Sequence, residues 1–238
     1  MARLRTMPVV SVLQTELIQF GQKWQANGGR LSRTPPQSSG QLGNLFDAAV
    51  GNSLALFLGD IPVVRPVSTS LIASVPDCVE VGPVRIVGGV RPQNFDVGYR
   101  PDGVRFAFDS KTLNDTDSLR KNWQNMINDL ATEATTVHSR FPHAVVAFMV
   151  IIPSPCFIEP QKSAMIETLE RLARRVSVED PDYMAEAISL VIWNPDDGII
   201  SGETPPLTSP LRLERFSTFV ESAYVNRYKG LPPHAIAE

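Results

Sequence analysis

The chain has 238 residues, 43% of them apolar and 20% charged, with a formal net charge of −3, the composition of one globular domain. With no basic excess, a nucleic-acid partner would need local positive potential on one face or in one cleft. Two cysteines without CxxC spacing and three histidines exclude a disulfide framework and a histidine-rich metal site, and imply a reducing, cytoplasmic compartment. The apolar part of the start, MARLRTMPVV, is too short and broken for a signal peptide. No stretch approaches the roughly 20 apolar residues of a membrane span, so no membrane partner is expected.

Val10, Leu13, Leu17 and Phe20 recur at three- and four-residue spacing, which predicts a first helix over 8–24. The Gly-, Pro- and Ser-rich stretch 27–41 is a loop. A second helix fits 42–59, with Leu42, Leu45, Phe46, Val50 and Leu54 in one apolar stripe. From 60 to 110 the pattern is that of three short strands broken by Gly and Pro. Asp115, Asp117 or Ser118 can cap a long helix running to about His138, whose apolar positions from Leu119 to Val137 keep a helical period. HAVVAFMVIIP (143–153) and EAISLVIWN (186–194) read as strands buried on both faces. Helices are expected over 160–176 and 210–229, with 196–210 as loop and 231–238 as tail. The order predicts an α/β fold in which helices flank a mixed central β-sheet.

The stretch FDVGYRPDGVRFAFDSKT (95–112) contains a hairpin with a turn signal at RPDG. Alternation puts Val104, Phe106 and Phe108 on one face of the second strand, and Arg105, Ala107, Asp109 and Lys111 on the other. On the first strand Phe95, Val97 and Tyr99 share a face opposite Asp96 and Gly98. Matching the apolar faces sets Val97 against Phe108, Gly98 against Ala107, Tyr99 against Phe106, and Asp96 against Asp109. Two carboxylates opposed on a sheet repel. A divalent cation is the natural compensation, and Mg²⁺ is commonly held by one or two carboxylates plus water and phosphate oxygens.

An acid, a hairpin, then Asp-x-Lys on the next strand, followed by a helix and a buried strand, resembles the PD-(D/E)xK nuclease superfamily, with its restriction-endonuclease-like core. Asp96 and the DSK triplet (Asp109, Ser110, Lys111) match its defining positions over roughly residues 43–152, although Phe95 stands where the naming proline would be. The resemblance implies a single nuclease domain over 1–238 with its catalytic core at about 40–195, the first and last helices being additions. It implies Mg²⁺, replaceable by Mn²⁺, on Asp96, Asp109 and the Ser110 carbonyl. Lys111 would help generate or position hydroxide, and Asp47 would be a further acid acting through water. The implied activity is hydrolysis of DNA phosphodiesters by a homodimer acting on double-stranded DNA, as a type II restriction enzyme or related defence nuclease. Gln124, on the helix after the lysine strand, matches a glutamine of some members. Arg171, Arg174 and Arg175 at helical spacing, and Arg33 in the Gly/Pro/Ser-rich loop, are candidate substrate contacts. Two alternatives stand beside this: a non-catalytic nucleic-acid-binding or assembly module with the same fold, and a repair nuclease for structured DNA or RNA.

Overall fold

A six-stranded mixed sheet runs through the computed structural model, which describes residues 4–35, 38–67 and 69–234. Parts of the sequence reading lie outside these residues: the first three positions of the N-terminal start, 36–37 of the first loop, 68 of the strand region, and 235–238 of the tail. The strands β1 (Val63–Val64), β2 (Val79–Val87), β3 (Pro92–Tyr99), β4 (Phe106–Thr112), β5 (Val145–Pro153) and β6 (Ala187–Trp193) stand side by side in chain order. β2, β3 and β4 form an antiparallel meander, and β4, β5 and β6 are parallel. The two-residue β1 pairs in parallel with β2, and was too short to register in the sequence pattern.

Helices cover both faces. α1 (Gln14–Ala26), α2 (Ser39–Phe57) and α5 (Leu213–Tyr228) pack on one side. The crossover helices α3 (Thr116–His138) and α4 (Gln161–Leu172) pack on the other. β5 shows why its sequence is continuously apolar. Val145, Ala147, Met149 and Ile151 enter the first core, and Val146, Phe148, Val150 and Ile152 enter the second, so neither face of the strand meets water.

Local chemistry fixes the helices nearest the hairpin. The Asp115 carboxylate accepts from Ser118 N at 2.8 Å and caps α3. Ser38 and Gln41 close a capping box at the start of α2. α2 then lies hard against the sheet through glycines. A Cβ at Gly51 would come within 2.3 Å of the Val81 side chain, and one at Gly43 within 3.0 Å of Ser110 Oγ.

The hairpin register is Val97↔Phe108, Gly98↔Ala107 and Tyr99↔Phe106, as face matching requires. The alternation fails in two places. Val104 packs in the α3/α4 core while Phe106 and Phe108 pack in the other, because β4 begins only at Phe106. Phe95 likewise joins the α3/α4 core, away from Val97 and Tyr99. The cause is a β-bulge in the neighbouring strand. The β2–β3 register passes from Val81↔Val97 to Val84↔Phe95, so Gly82 and Pro83 together oppose Asp96. Gly82 takes φ 128°, a conformation open to glycine.

The base of the hairpin is tied down by a buried ion pair. Arg100 donates to both Glu80 oxygens, at 2.5 and 2.9 Å, and also to the carbonyls of Ser70 and Arg85.

Candidate active site

Four elements bring their polar residues together where β3 and β4 part. The paired ladder ends at Val97–Phe108, and beyond it the Asp96 carboxylate accepts from Ser110 N at 2.9 Å and from Ser110 Oγ at 3.3 Å. The bulge opposite Asp96 turns Phe95 into the core and leaves Asp96 against the β4 main chain. Asp109 and Lys111, two residues apart on β4, share a face as the strand period requires and form an ion pair. Lys111 Nζ also donates to Glu133 Oε1 on α3 at 2.8 Å. From the other side of the sheet, α2 contributes Asp47, one helical turn beyond the Gly43 that lets α2 approach Ser110.

Burial is uneven in a useful way. Asp47 is 4% exposed, Asp109 7% and Glu133 4%, whereas Asp96 is half-buried and the Lys111 side chain is 25% exposed. The cluster therefore opens to solvent at Asp96 and Lys111 and is closed beneath.

The protonation states follow from this burial. Desolvation, then the charge of Asp96, pushes Asp47 up to about 8, against a hydrogen bond from Ser110. Desolvation and the neighbouring Asp109 carboxyl push Asp96 up to about 8, against Ser110 N–H and Lys111. Burial also raises Asp109, opposed by its hydrogen bond with Asp96 and by Lys111. For Lys111, burial alone would lower the value, but Asp109 and Glu133 more than offset it and hold the ammonium above its ordinary range. Asp47 and Asp96 thus tend to keep a proton unless a cation stands beside them.

Among the described residues, no three Asp, Glu, His or Cys side chains converge closely enough to form a metal-binding group. A cation here would rest on Asp96 and Asp109, with the Ser110 carbonyl and oxygens from water or a ligand. That donor set is all hard oxygen and suits Mg²⁺ or Mn²⁺. The Asp47 Oδ1 atom, buried without a hydrogen-bond partner, supports the fit as an acceptor for water behind the pair.

Of the residues singled out in the sequence, Asp96, Asp109, Ser110, Lys111 and Asp47 come together. Gln124 does not: it is exposed on α3, about half a revolution from Glu133 at 100° per residue. Glu133 is the residue of α3 that reaches the cluster, and it was missed. Its signal was a carboxylate among Leu130, Ala134 and Val137 on the apolar side of the helix.

The arginine cluster is corrected in part. α4 ends at Leu172, so Arg174 and Arg175 do not continue its helical spacing. Arg175 is buried, donating to Glu186 at 3.0 Å and to the carbonyls of Pro142 and Val178, and it is no surface phosphate contact. Arg171 is exposed and pairs with Glu167 on its own helix, and Arg174 is exposed. Arg33 is exposed beside Thr112 and Asn114, just past Lys111.

No protein-family model matches the chain, and no curated protein or solved structure matches it either. No helix among the described residues is long and apolar enough to cross a membrane.

Proposed function

We propose that the chain is a Mg²⁺-dependent endonuclease that hydrolyses DNA phosphodiesters, a type II restriction enzyme or related defence nuclease that cuts double-stranded DNA as a homodimer. One observation carries the reading: Asp96 and Asp109 meet at the parting of β3 and β4, with Lys111 on the same face as Asp109. Together with the Ser110 carbonyl they would hold Mg²⁺. When bound, the ion supplies positive charge for the phosphoryl oxygens of the scissile group.

The chain's own residues do the rest. Asp96 and Asp109, ionised beside the cation, orient it. Lys111, kept protonated by Asp109 and Glu133, positions the attacking water and balances the charge that builds on phosphate, and it does not take the proton itself. Glu133 fixes the ammonium from α3. Asp47, behind Asp96, offers an acceptor for a water molecule.

A non-catalytic module with this fold is the second reading. The observation favouring it is that Lys111 is held by two carboxylates at once, as a purely structural lysine would be. Incubating the protein with supercoiled plasmid and with linear duplex DNA, in Mg²⁺, Mn²⁺ or EDTA, separates the two. Discrete metal-dependent fragments support the endonuclease, and a smear keeps the nuclease while removing the restriction specificity. Intact DNA in every lane, with no Mg²⁺ binding by calorimetry, favours the module.

A further inference from the structure

Past Lys111, β4 leads into a cleft of about 500 Å³ between the loop at Arg30–Arg33 and the first turns of α2 and α3. Arg30 and Arg33 on one side are exposed, and neither has an acidic partner among the described residues. Asn114 lies on the other side. Its main chain is fixed, since the carbonyl accepts from Trp24 Nε1 at 2.7 Å and the preceding Leu113 N–H bonds Ile151 O at 3.1 Å. Its side chain is different. Asn114 is 8% exposed, its Oδ1 is buried without a partner, and the amide makes no hydrogen bond among the described residues. Burying an amide oxygen without a partner is costly, and native chains seldom do so without a use for it.

We infer that this cleft seats a nucleotide of the substrate close to the cut, with Arg30 and Arg33 on its phosphate and the Asn114 amide on the edge of its base. The inference rests on the nuclease reading above. A phosphate offers acceptors alone and would leave the Asn114 oxygen unpaired. A base edge with a donor beside an acceptor would satisfy both ends of the amide once the side chain turns its buried oxygen toward the cleft, and adenine presents that pair at N6 and N7.

The charges divide the cleft in the same sense. Asp115 also lines it, and although its carboxylate caps α3 through Ser118 N–H, it repels phosphate toward the arginine side. Asn114 follows Lys111 by three residues, roughly 10 Å of extended chain. At 3.4 Å per base step, that places the base within about three steps of the scissile phosphate. Asn114 is then a specificity-determining residue.

The test uses the full chain on a library of duplexes randomised around a cut site, with the cut ends sequenced for wild type and Asn114→Ala. The expected result is an adenine preference at one position within about three of the cut in wild type, reduced about tenfold or more in the variant. Thermal melting checks that Asn114→Ala folds, and Asn114→Ser replaces it if it does not.

In parallel, the salt dependence of duplex binding is measured in the Asp109→Asn background with EDTA, so that nothing is cut. Adding Arg30→Ala and Arg33→Ala together should lower the slope by about 1, the loss of one neutralised phosphate, equally for all sequences. An unchanged preference in the folded Asn114 variant, or an unchanged salt slope, overturns the subsite while leaving the nuclease standing. Folded wild-type protein that cuts no DNA overturns the nuclease reading, and this subsite with it.

Discussion

Lys111 and Glu133, 22 residues apart in the chain, meet at 2.8 Å because β4 and the crossover helix that follows it fold back on one another. The contact makes α3 a clamp on the ammonium rather than a passive cover for the sheet. Glu133→Gln keeps the shape and removes the charge. If the cluster holds the proposed cation, a partner that orients a neighbouring group is worth about 10- to 100-fold in activity. The expected outcome is a fall of about that size in the cleavage rate, with duplex binding unchanged and the melting temperature moving little. A full-rate Glu133→Gln enzyme would show that Asp109 alone positions Lys111.

The raised carboxyls predict how the metal-free protein responds to pH. Asp47 and Asp96 have an ordinary value of 3.8 and are pushed up to about 8 in the folded chain. Between those values the folded state holds protons that the unfolded state has released, so stability falls as pH rises through the window. In EDTA, the melting temperature should be lower at pH 8.5 than at pH 5, and Asp96→Asn should flatten the difference. Mg²⁺ should raise the melting temperature most at the alkaline end, and its binding at pH 7 should release protons detectable by calorimetry in buffers of different ionisation heat. A melting temperature that rises from pH 5 to pH 8.5 in EDTA would contradict the assignment.

The bulge that aims Asp96 depends on Gly82, whose φ of 128° disfavours any side chain. A Cβ there would also come within 3.3 Å of Pro66. Gly82→Ala should cost about 1–3 kcal/mol in urea denaturation and lower Mg²⁺-dependent cleavage by shifting Asp96. Gly40→Ala is the control. Gly40 sits in the first turn of α2 with open space around its Cα, and that change should be neutral or mildly stabilising. Equal effects of the two substitutions would remove the bulge from the account of the site.

Glu80 is fully buried beneath the Arg100 guanidinium, and both of its carboxylate oxygens are engaged. Glu80→Ala strands a buried cation and should destabilise the fold by about 3–5 kcal/mol. Replacing both partners together, Glu80→Met with Arg100→Met, should recover much of that loss in the same urea titration. No recovery in the double variant would mean that the carbonyl contacts of Arg100 to Ser70 and Arg85, rather than the charge pair, hold the hairpin base.

Much of this was legible from the chain alone because strand and helix periods are local properties. The two-sided burial of β5 and the Val97–Phe108 register each follow from a few neighbouring residues, and the α3 cap narrows to Asp115, Asp117 or Ser118, of which the structure uses Asp115. The face of Phe95 was not legible in that way, since it is set by the extra residue in β2, a strand away. The sign was present as Gly82-Pro83 inside an apolar strand, a pair that marks a bulge. Glu133 escaped for the opposite reason. On its own helix it reads as an isolated acid, and only the fold brings Lys111 to it. Arg175 misled because a run of arginines does not show where a helix stops, and α4 stops at Leu172.

The most direct test of the central claim is the Mg²⁺-dependent cleavage of one supercoiled plasmid by wild type and Asp109→Asn in parallel, with melting temperatures confirming that both are folded. The account predicts that the wild type nicks and linearises the plasmid in Mg²⁺ and leaves it intact in EDTA. Asp109→Asn should be slower by at least about 100-fold, because it removes a ligand of the cation that would stabilise transition-state charge, and losing one such stabiliser is felt on that scale. Equal cutting by the two proteins would place the chemistry elsewhere on the chain. Intact plasmid with both, and no Mg²⁺ bound by either, would contradict the nuclease itself.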